Sequence, residues 1–292
     1  MLVGDATRSR FPRQGPLQVL RRAGSDQPPF DPHREGAPSS GQNRHVSHPG
    51  AKGRRREEAA VKPWEVLGRA RMPDGTELTL TRHPSEYVIL ADGESLMSSR
   101  MHGSEEALAV LGCRQARLRE KPCVLIGGLG MGFTLRAALD ILPASARVVV
   151  AELVPAVVQW NRGPLGPLAN HPLDDGRVSI EEGDVGAIIG ASPDRFDALL
   201  LDVDNGPAPF TSASNVRLYD ERGIAAARAA LRPCGVLAVW SVNNDRGGFE
   251  RRLRAGGFRV KRETVRARGE KKTGPRHTIF VAQRTDTPDE CA

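Results

Sequence analysis

The stretch from Val124 to Gly132 (VLIGGLGMG) constrains this chain most, because a short apolar run leads directly into regularly spaced glycines. Gly128, Gly130 and Gly132 would let backbone N–H groups approach a bound group closely, since glycine tolerates left-handed backbone conformations. The helix expected after Gly132 would offer its N-terminus to a negative or electron-rich group. A strand, a glycine turn and a helix in this order predict a nucleotide-binding turn. Its G-x-G-x-G spacing differs from the G-x-G-x-x-G of dinucleotide-binding proteins.

Acidic residues follow the next two predicted strands. Glu152 ends the strand after the glycine turn, 20 residues beyond Gly132. A carboxylate there can accept hydrogen bonds from both ribose hydroxyls of a nucleoside, but an ordinary acid beside the helix that begins at Pro155 is an alternative interpretation. Asp184 follows the third strand, where it would face the adenine amino group or simply cap the short helix 185–190. With the glycine turn, these acids predict a site for an S-adenosyl-type nucleoside.

A third acidic position, Asp202, ends the apolar strand that begins at Phe196. Asp204 and Asn205 follow it, before a Gly-Pro turn. Ligands of open α/β sheets bind at such strand ends, where a carboxylate could remove a proton from an attacking amine or hold a cationic substrate. A turn-forming cluster of Asp and Asn residues is the alternative. We expect Asp202 to be the catalytic residue.

Strands and helices alternate after Pro122. Parallel sheets covered on both faces produce this pattern, and an antiparallel hairpin at the end of such a sheet is typical of S-adenosylmethionine-dependent methyltransferase folds. The sequence therefore predicts a Rossmann-like α/β class I methyltransferase fold with a mostly parallel seven-stranded sheet and an antiparallel C-terminal hairpin. The predicted strands are 124–126, 147–153, 178–181, 196–203, 236–241, 258–265 and 277–282, and the predicted helices are 133–142, 155–161, 185–190, 220–231 and 247–256.

A small antiparallel β unit is expected before this domain. Residues 64–70, 77–82 and 87–91 alternate as strands do, and Pro-Asp-Gly and Ala-Asp-Gly turns separate them. A helix is predicted from Ser104 to Arg119, with Ser104 as its N-cap and acidic residues in its first turn. We expect four segments: a disordered basic extension at 1–60, the β unit at 61–103, the nucleoside-binding catalytic domain at 104–284 and a tail at 285–292.

Charge and hydropathy narrow the classes of function. The net charge is +7, yet residues 61–250 carry 19 Lys and Arg against 24 Asp and Glu, so the excess lies in the two terminal segments. Solvated charge explains this distribution better than a nucleic-acid partner does. Apolar runs of strand length and a first segment without a signal-peptide pattern predict a cytoplasmic protein without a membrane span. The four cysteines are far apart, so we expect no metal site.

From about Trp64 to Ala282 the chain resembles the spermidine synthase-like family of polyamine aminopropyltransferases. The resemblance is carried by the loop Val124–Arg136 (VLIGGLGMGFTLR), by the acids Glu152, Asp184 and Asp202, and by the Gly-Pro-Ala turn at 206–208. It implies an aminopropyl transfer in polyamine biosynthesis, a small-molecule amine as acceptor, decarboxylated S-adenosylmethionine as co-substrate without a metal, and a homodimer. Methyl transfer from S-adenosylmethionine itself and a non-catalytic nucleoside-binding homologue stay open as alternatives.

The resemblance also implies residues around the acceptor. Glu106 falls near an acid of the family on the helix before the glycine loop, and Tyr219 stands where the family often has an aromatic residue. Asp204 and Asn205 would complete the acceptor site. Two positions differ from the family pattern, which has an Asp at Met131 and a Tyr at Ser104. His102 and His277 are isolated in the sequence, and we assign them no role.

Overall fold

A four-stranded antiparallel sheet precedes the larger sheet. The computed structural model describes residues 63–203, 207, 217–242, 248–268 and 274–285. The chain divides into two units, Met1–Glu58 and Ala59–Ala292, and every described residue belongs to the second. The small sheet has the order β1-β2-β3-β4. Its strands are β1 (Glu65–Arg71), β2 (Glu77–His83), β3 (Glu86–Ala91) and β4 (Glu94–Ser98).

Three of these strands match the sequence prediction, and the fourth was missed. Strand β4 is short and mostly exposed, so its residues lack the clear alternation of apolar and polar side chains that marks a half-buried strand. Asp92 and Gly93 make the tight turn before it, both with positive φ angles of 48° and 85°. This Asp-Gly pair is typical of a two-residue hairpin turn.

The large sheet has seven strands in the order β10-β11-β9-β8-β5-β6-β7. Strands β5 to β9 pair in parallel, whereas β11 pairs antiparallel with both β9 and β10. The predicted mostly parallel sheet with an antiparallel C-terminal hairpin is therefore confirmed. The strands are β5 (Cys123–Gly127), β6 (Arg147–Glu152), β7 (Val178–Glu182), β8 (Phe196–Leu201), β9 (Leu231–Ser241), β10 (Phe258–Arg266) and β11 (Arg276–Arg284).

Helices pack on both faces of this sheet, because successive strand residues point to opposite sides. Val124 and Ile126 join one apolar core, whereas Cys123 and Leu125 join the other. Helices α1 (Gly103–Gly112), α2 (Phe133–Ile141) and α3 (Pro155–Arg162) contribute to the first core, and α4 (Val185–Gly190), α5 (Glu221–Ala230) and α6 (Gly248–Ala255) to the second. Short 3-10 turns lie at Ala116–Leu118, Gly166–Ala169 and Pro172–Asp174.

Helix α1 differs from its prediction at both ends. It begins at Gly103, with His102 as the N-cap, and it ends at Gly112. The expected N-cap, Ser104, lies inside the helix and is fully buried. Gly112 brings the helix close to the sheet, since a Cβ there would lie 2.2 Å from a methyl carbon of Leu200. The prediction of Ser104 as N-cap was wrong because a cap pattern in the sequence does not show which hydroxyl faces the core.

The parallel strands turn their carboxyl ends toward one edge of the sheet. At β5 the chain order reverses, with β6 on one side and β8 on the other, and open α/β sheets bind ligands at such a crevice. The glycine turn, Glu152 and Asp202 all lie at this edge. None of the helices in the described part of the chain has the length and apolar character that crossing a membrane requires, and the cytoplasmic location stays a prediction.

Candidate active site

The glycine turn lies directly against the end of β8. Gly128, Gly130 and Gly132 have φ angles of 87°, 53° and 84°, which residues with side chains rarely adopt. A Cβ at Gly128 would lie only 2.5 Å from the backbone oxygen of Asp202. Gly132 is the N-cap of α2. The backbone conformation of this turn therefore requires glycine at these positions. The turn also borders a cavity, where a ligand can reach its backbone.

Glu152 connects the glycine turn to the end of β6. Its side chain is buried, with one carboxylate oxygen accepting a hydrogen bond from the Leu129 N–H at 2.9 Å and the other from the Val154 N–H at 2.9 Å. Burial raises the pKa of this carboxyl group, and the backbone hydrogen bonds oppose that effect. Each carboxylate oxygen can accept a second hydrogen bond, so Glu152 can hold the turn and still receive two ligand hydroxyls.

Asp184 caps helix α4. One of its carboxylate oxygens accepts hydrogen bonds from the Gly186 N–H at 2.6 Å and the Ala187 N–H at 3.2 Å. The capping alternative is thus present in the structure. Asp184 also lines the same cavity as Glu152, and its second oxygen takes no part in these two bonds. A cap and a ligand contact are therefore compatible at this residue.

These groups line a first cavity of about 890 Å³ that opens to solvent. Its walls are mainly apolar and its few polar groups lie along the carboxyl edge of the sheet, as in small-molecule sites generally. The β unit contributes one wall through strands β2 to β4 and the residue after β1. The lining includes Met72, Leu78, Ile89, Leu96, Met97, Gly128, Gly130, Glu152, Val154, Asp184, Val185, Asp202 and Val203.

A second cavity, of about 1100 Å³, adjoins the first. The two cavities share Leu96, Met97, Gly130 and Asp202 in their walls, so Asp202 lies where they meet. Aromatic and apolar side chains make up most of the remaining wall. This lining includes Met101, Glu105, Leu129, Met131, Phe133, Thr134, Trp240, Val242, Pro275 and His277.

Two acidic residues, Glu105 and Asp202, face this second cavity. Burial, and the charge of Asp202 after it, raise the pKa of Glu105 to about 8. Burial raises the pKa of Asp202 to about 6, while a hydrogen bond from the Thr134 hydroxyl at 2.8 Å opposes this. Near neutral pH the pair therefore holds about one proton and one negative charge. A cationic ligand would compensate this negative charge, which the surrounding apolar walls cannot do.

A chain of hydrogen bonds leads away from Glu105. The Ser104 hydroxyl lies 2.6 Å from a carboxylate oxygen of Glu105 and 2.9 Å from Nδ1 of His277. Burial lowers the pKa of His277, whose ring contacts Trp240 edge-on. Sequence reasoning missed Glu105, Ser104 and His277. Helix α1 and strand β11 lie 173 residues apart in the chain, so no local pattern relates them.

Glu106 lies outside both cavities. Its side chain is exposed, and its carboxylate lies 2.8 Å from Nδ1 of His102. The acid that faces the second cavity is its neighbour Glu105. One residue along a helix is a rotation of about 100°, which separates an inward from an outward side chain.

Tyr219 lies in the core rather than in either cavity wall. It is 3% exposed, packs edge-on against Phe249 and places its hydroxyl 3.4 Å from the backbone oxygen of Val203. Its contact with the acceptor therefore stays a prediction with no support from the described residues. Asp204 and Asn205 lie outside the described residues. Within the described part of the chain, no group of His, Cys, Asp and Glu side chains is arranged to hold a metal ion.

Comparisons with known proteins agree with this architecture. No protein-family model matches the chain. A polyamine aminopropyltransferase of Nitrosomonas europaea is 34% identical over 119 residues, which are 41% of this chain. The match spans about a third of that relative's length (34%).

Solved structures show the same topology over most of the chain. Spermidine synthase from Thermotoga maritima superposes with a TM-score of 0.60 at 20% identity, over 77% of this chain and 75% of that one. The chain has the spermidine synthase fold. A spermidine synthase in complex with the transition state analogue AdoDATO gives a TM-score of 0.59 at 20% identity, over 77% and 74% of the two chains. A probable spermidine synthase from Corynebacterium glutamicum gives 0.51 at 16% identity, over 74% and 79%.

The spermidine synthase fold accounts for the position of the small β unit. In this chain its strands β2 to β4 line the first cavity through Leu78, Ile89 and Met97, and β4 also lines the second cavity through Met97. The predicted fold class, including the small antiparallel unit before the main sheet, is thereby confirmed. At 20% identity or less, the solved structures show the fold of this chain.

Proposed function

We propose that this protein is a transferase that moves an aminopropyl group from decarboxylated S-adenosylmethionine to an amine. The observation that carries the proposal is the pair Glu105 and Asp202, two half-buried acidic residues that line a cavity adjoining the one that Glu152 and Asp184 line. The curated relative is named a polyamine aminopropyltransferase. That name describes the relative, and the site in this chain supplies independent support.

The first cavity suits the nucleoside of the donor. The glycine turn admits a ligand close to the backbone, and Glu152 retains acceptor positions for ribose hydroxyls. Asp184 can accept a hydrogen bond from the adenine amino group while it caps α4. Apolar side chains such as Ile89 and Val185 line the cavity between these polar groups and would contact the flat faces of the base.

The second cavity suits a cationic amine. Moving an ammonium group out of water is costly unless an opposite charge receives it. The pair Glu105 and Asp202 supplies that charge, and Trp240 and Phe133 contribute apolar surface to the same cavity. Asp202 lies at the junction of the cavities, so an amine held by it would face the sulfonium end of the donor.

Catalysis of this reaction depends mainly on the alignment of the donor and the acceptor amine. The amine nitrogen attacks the carbon next to the sulfonium sulfur, the new N–C bond forms, and the C–S bond breaks with its electrons returning to sulfur. Because positive charge on the sulfur disappears in this step, a water-poor site that orients both partners favours the transition state. Asp202 would position the amine, and the pair of acids would receive its proton.

The carboxylate pair favours this donor over intact S-adenosylmethionine. The intact donor carries a carboxylate at the end that would extend toward the second cavity, where it would meet Asp202 and Glu105. Like charges in a poorly solvated cavity repel strongly. Met131, which is 4% exposed, supplies no charge at the loop position where the family has an Asp. The same acid pair would therefore receive the donor's amino group.

Calorimetric titration with the intact and the decarboxylated donor tests this proposal. We expect tighter binding of the decarboxylated form, and thermal stabilisation that follows RT ln(1 + [L]/Kd), about 2.7 kcal/mol at a hundredfold excess over Kd. Asp202→Asn should abolish most of the turnover with putrescine while donor binding through Glu152 persists. Preference for the intact donor would support methyl transfer instead.

The homodimer implied by the family stays a prediction, which sedimentation can test.

A further inference from the structure

The proposed reaction must export one proton in each cycle. An ammonium acceptor cannot attack carbon until it loses a proton, because its nitrogen has no free electron pair. The product amine keeps two of its hydrogens and becomes charged, so one proton leaves for solvent at every turnover. Glu105 and Asp202 line the second cavity, and His277 is the other titratable side chain among the described residues of its lining.

We propose that Ser104 and His277 form the route by which this proton leaves the site. The Ser104 hydroxyl lies within hydrogen-bond distance of both neighbours, 2.6 Å from Glu105 and 2.9 Å from Nδ1 of His277. Ser104 is fully buried, which keeps water from competing for its hydroxyl group. His277 is partly exposed and lines the second cavity. Its ring therefore connects the buried Ser104 hydroxyl to solvent.

The direction of the hydrogen bonds along this path depends on whether Glu105 is protonated or ionised. When Glu105 is protonated, its O–H can donate to Ser104, and the Ser104 hydroxyl then donates to Nδ1 of His277. When Glu105 is ionised, Ser104 donates to the carboxylate and accepts from Nδ1–H of His277. A hydroxyl group carries a single proton, so the histidine must change its tautomer as Glu105 changes its charge.

Binding of the substrates would drive the proton outward. The sulfonium donor and the ammonium acceptor place positive charge beside Glu105, which favours its ionised form. Its proton passes to Ser104 as the Ser104 proton passes to Nδ1 of His277, and the imidazolium releases its Nε2 proton to water. Glu105 and Asp202 together then take the proton of the ammonium, and the neutral amine attacks. The pair regains the proton it lost, and His277 returns to its first tautomer by losing the Nδ1 proton and taking one up from water at Nε2. One proton therefore reaches solvent in each cycle.

Among the residues that the structure describes, few charged groups act on the path. Besides Asp202, the group that interacts with Glu105 electrostatically is Glu106, which raises its pKa slightly further. Burial is what lowers the pKa of His277. Neutral histidine is the form that can accept a proton at Nδ1, so the lowered pKa keeps His277 ready to receive one at neutral pH.

Two readouts test the route, and the first needs no turnover. Nitrogen NMR of the His277 ring in the wild-type protein should show a change of tautomer between about pH 7 and 9, since Glu105 ionises near pH 8. Glu105→Gln should abolish the change, and Glu106→Gln, one position along the same helix, should retain it. A His277 tautomer that stays constant in wild type, or changes equally in Glu105→Gln, would overturn the proposed route.

The second readout rests on the proposed function. We expect His277→Asn, which can still hydrogen-bond Ser104 but cannot carry the proton, to lower kcat at least tenfold with the donor KM within twofold of wild type. In His277→Gly, added imidazole should restore part of kcat in proportion to its concentration. An unchanged kcat in His277→Asn would refute the route. A wild-type protein with the tautomer change but no transferase activity would establish the hydrogen-bonded path and overturn the proposed function instead.

Discussion

Replacing Glu105 by Gln should make the protein more stable above neutral pH. In the folded chain burial raises the pKa of Glu105 from 4.5 to about 8. Between these values the folded state keeps a proton that the unfolded state has lost. The free energy of unfolding therefore falls as the pH rises from about 4.5 to 8, and it levels off above that. At 1.36 kcal/mol for each pKa unit, the loss is roughly 4–5 kcal/mol.

Glu105→Gln removes this loss, because the amide has the same shape and never ionises. It can still hydrogen-bond to the Ser104 hydroxyl. At pH 5 the variant and the wild type should unfold at similar urea concentrations, and at pH 8 the variant should be more stable by up to about 4 kcal/mol. Urea unfolding curves at half-unit pH intervals, for both proteins, measure the difference directly.

The matched control is Glu106→Gln on the same helix. Glu106 is exposed, so this change should alter stability by less than about 1 kcal/mol across the range. If wild type and Glu105→Gln show the same pH dependence, the carboxyl group of Glu105 is not desolvated, and the reasoning about the acid pair fails. The stabilised variant should also bind the amine poorly. This would show that the carboxyl group of Glu105 lowers the stability of the protein and is needed for binding.

Three further changes test the first cavity and the terminal segment. Glu152→Gln should weaken donor binding by about 10–100-fold, since it disturbs charge-assisted hydrogen bonds to the backbone and to ribose, and calorimetric titration would measure this. Gly128→Ala should lower the free energy of unfolding by about 2 kcal/mol or more, because its Cβ would meet the Asp202 backbone oxygen at 2.5 Å and its φ is positive; thermal unfolding checks it. A protein lacking residues 1–60 should fold and bind the donor as the full chain does, and the same two assays decide that.

The nucleotide half of the site could be predicted from the sequence because its signals are local. The glycine turn follows its strand directly, and Glu152 and Asp202 each end a strand of the same parallel sheet. Carboxyl ends of parallel strands meet at one edge, so the order of elements along the chain was enough to bring Gly128, Glu152 and Asp202 together. Their contact with a bound nucleoside stays a prediction.

The acceptor half could not be predicted in the same way. Whether Glu105 or Glu106 faces the cavity depends on the rotation of one helix about its axis, and both residues are acidic. Ser104 fits an N-cap pattern, yet the helix begins one residue earlier and buries its hydroxyl. His277 has no neighbour in sequence that marks it, because its partner Ser104 lies across the fold. Such long-range contacts need the folded chain.

Mass spectrometry of the reaction products tests the central claim most directly. The purified protein would be incubated with decarboxylated S-adenosylmethionine and putrescine, and in parallel with intact S-adenosylmethionine and putrescine. We expect methylthioadenosine and an aminopropylated amine in the first mixture, at a rate that Asp202→Asn reduces by at least a hundredfold. Methylated amine and S-adenosylhomocysteine in the second mixture, with no product in the first, would contradict the account.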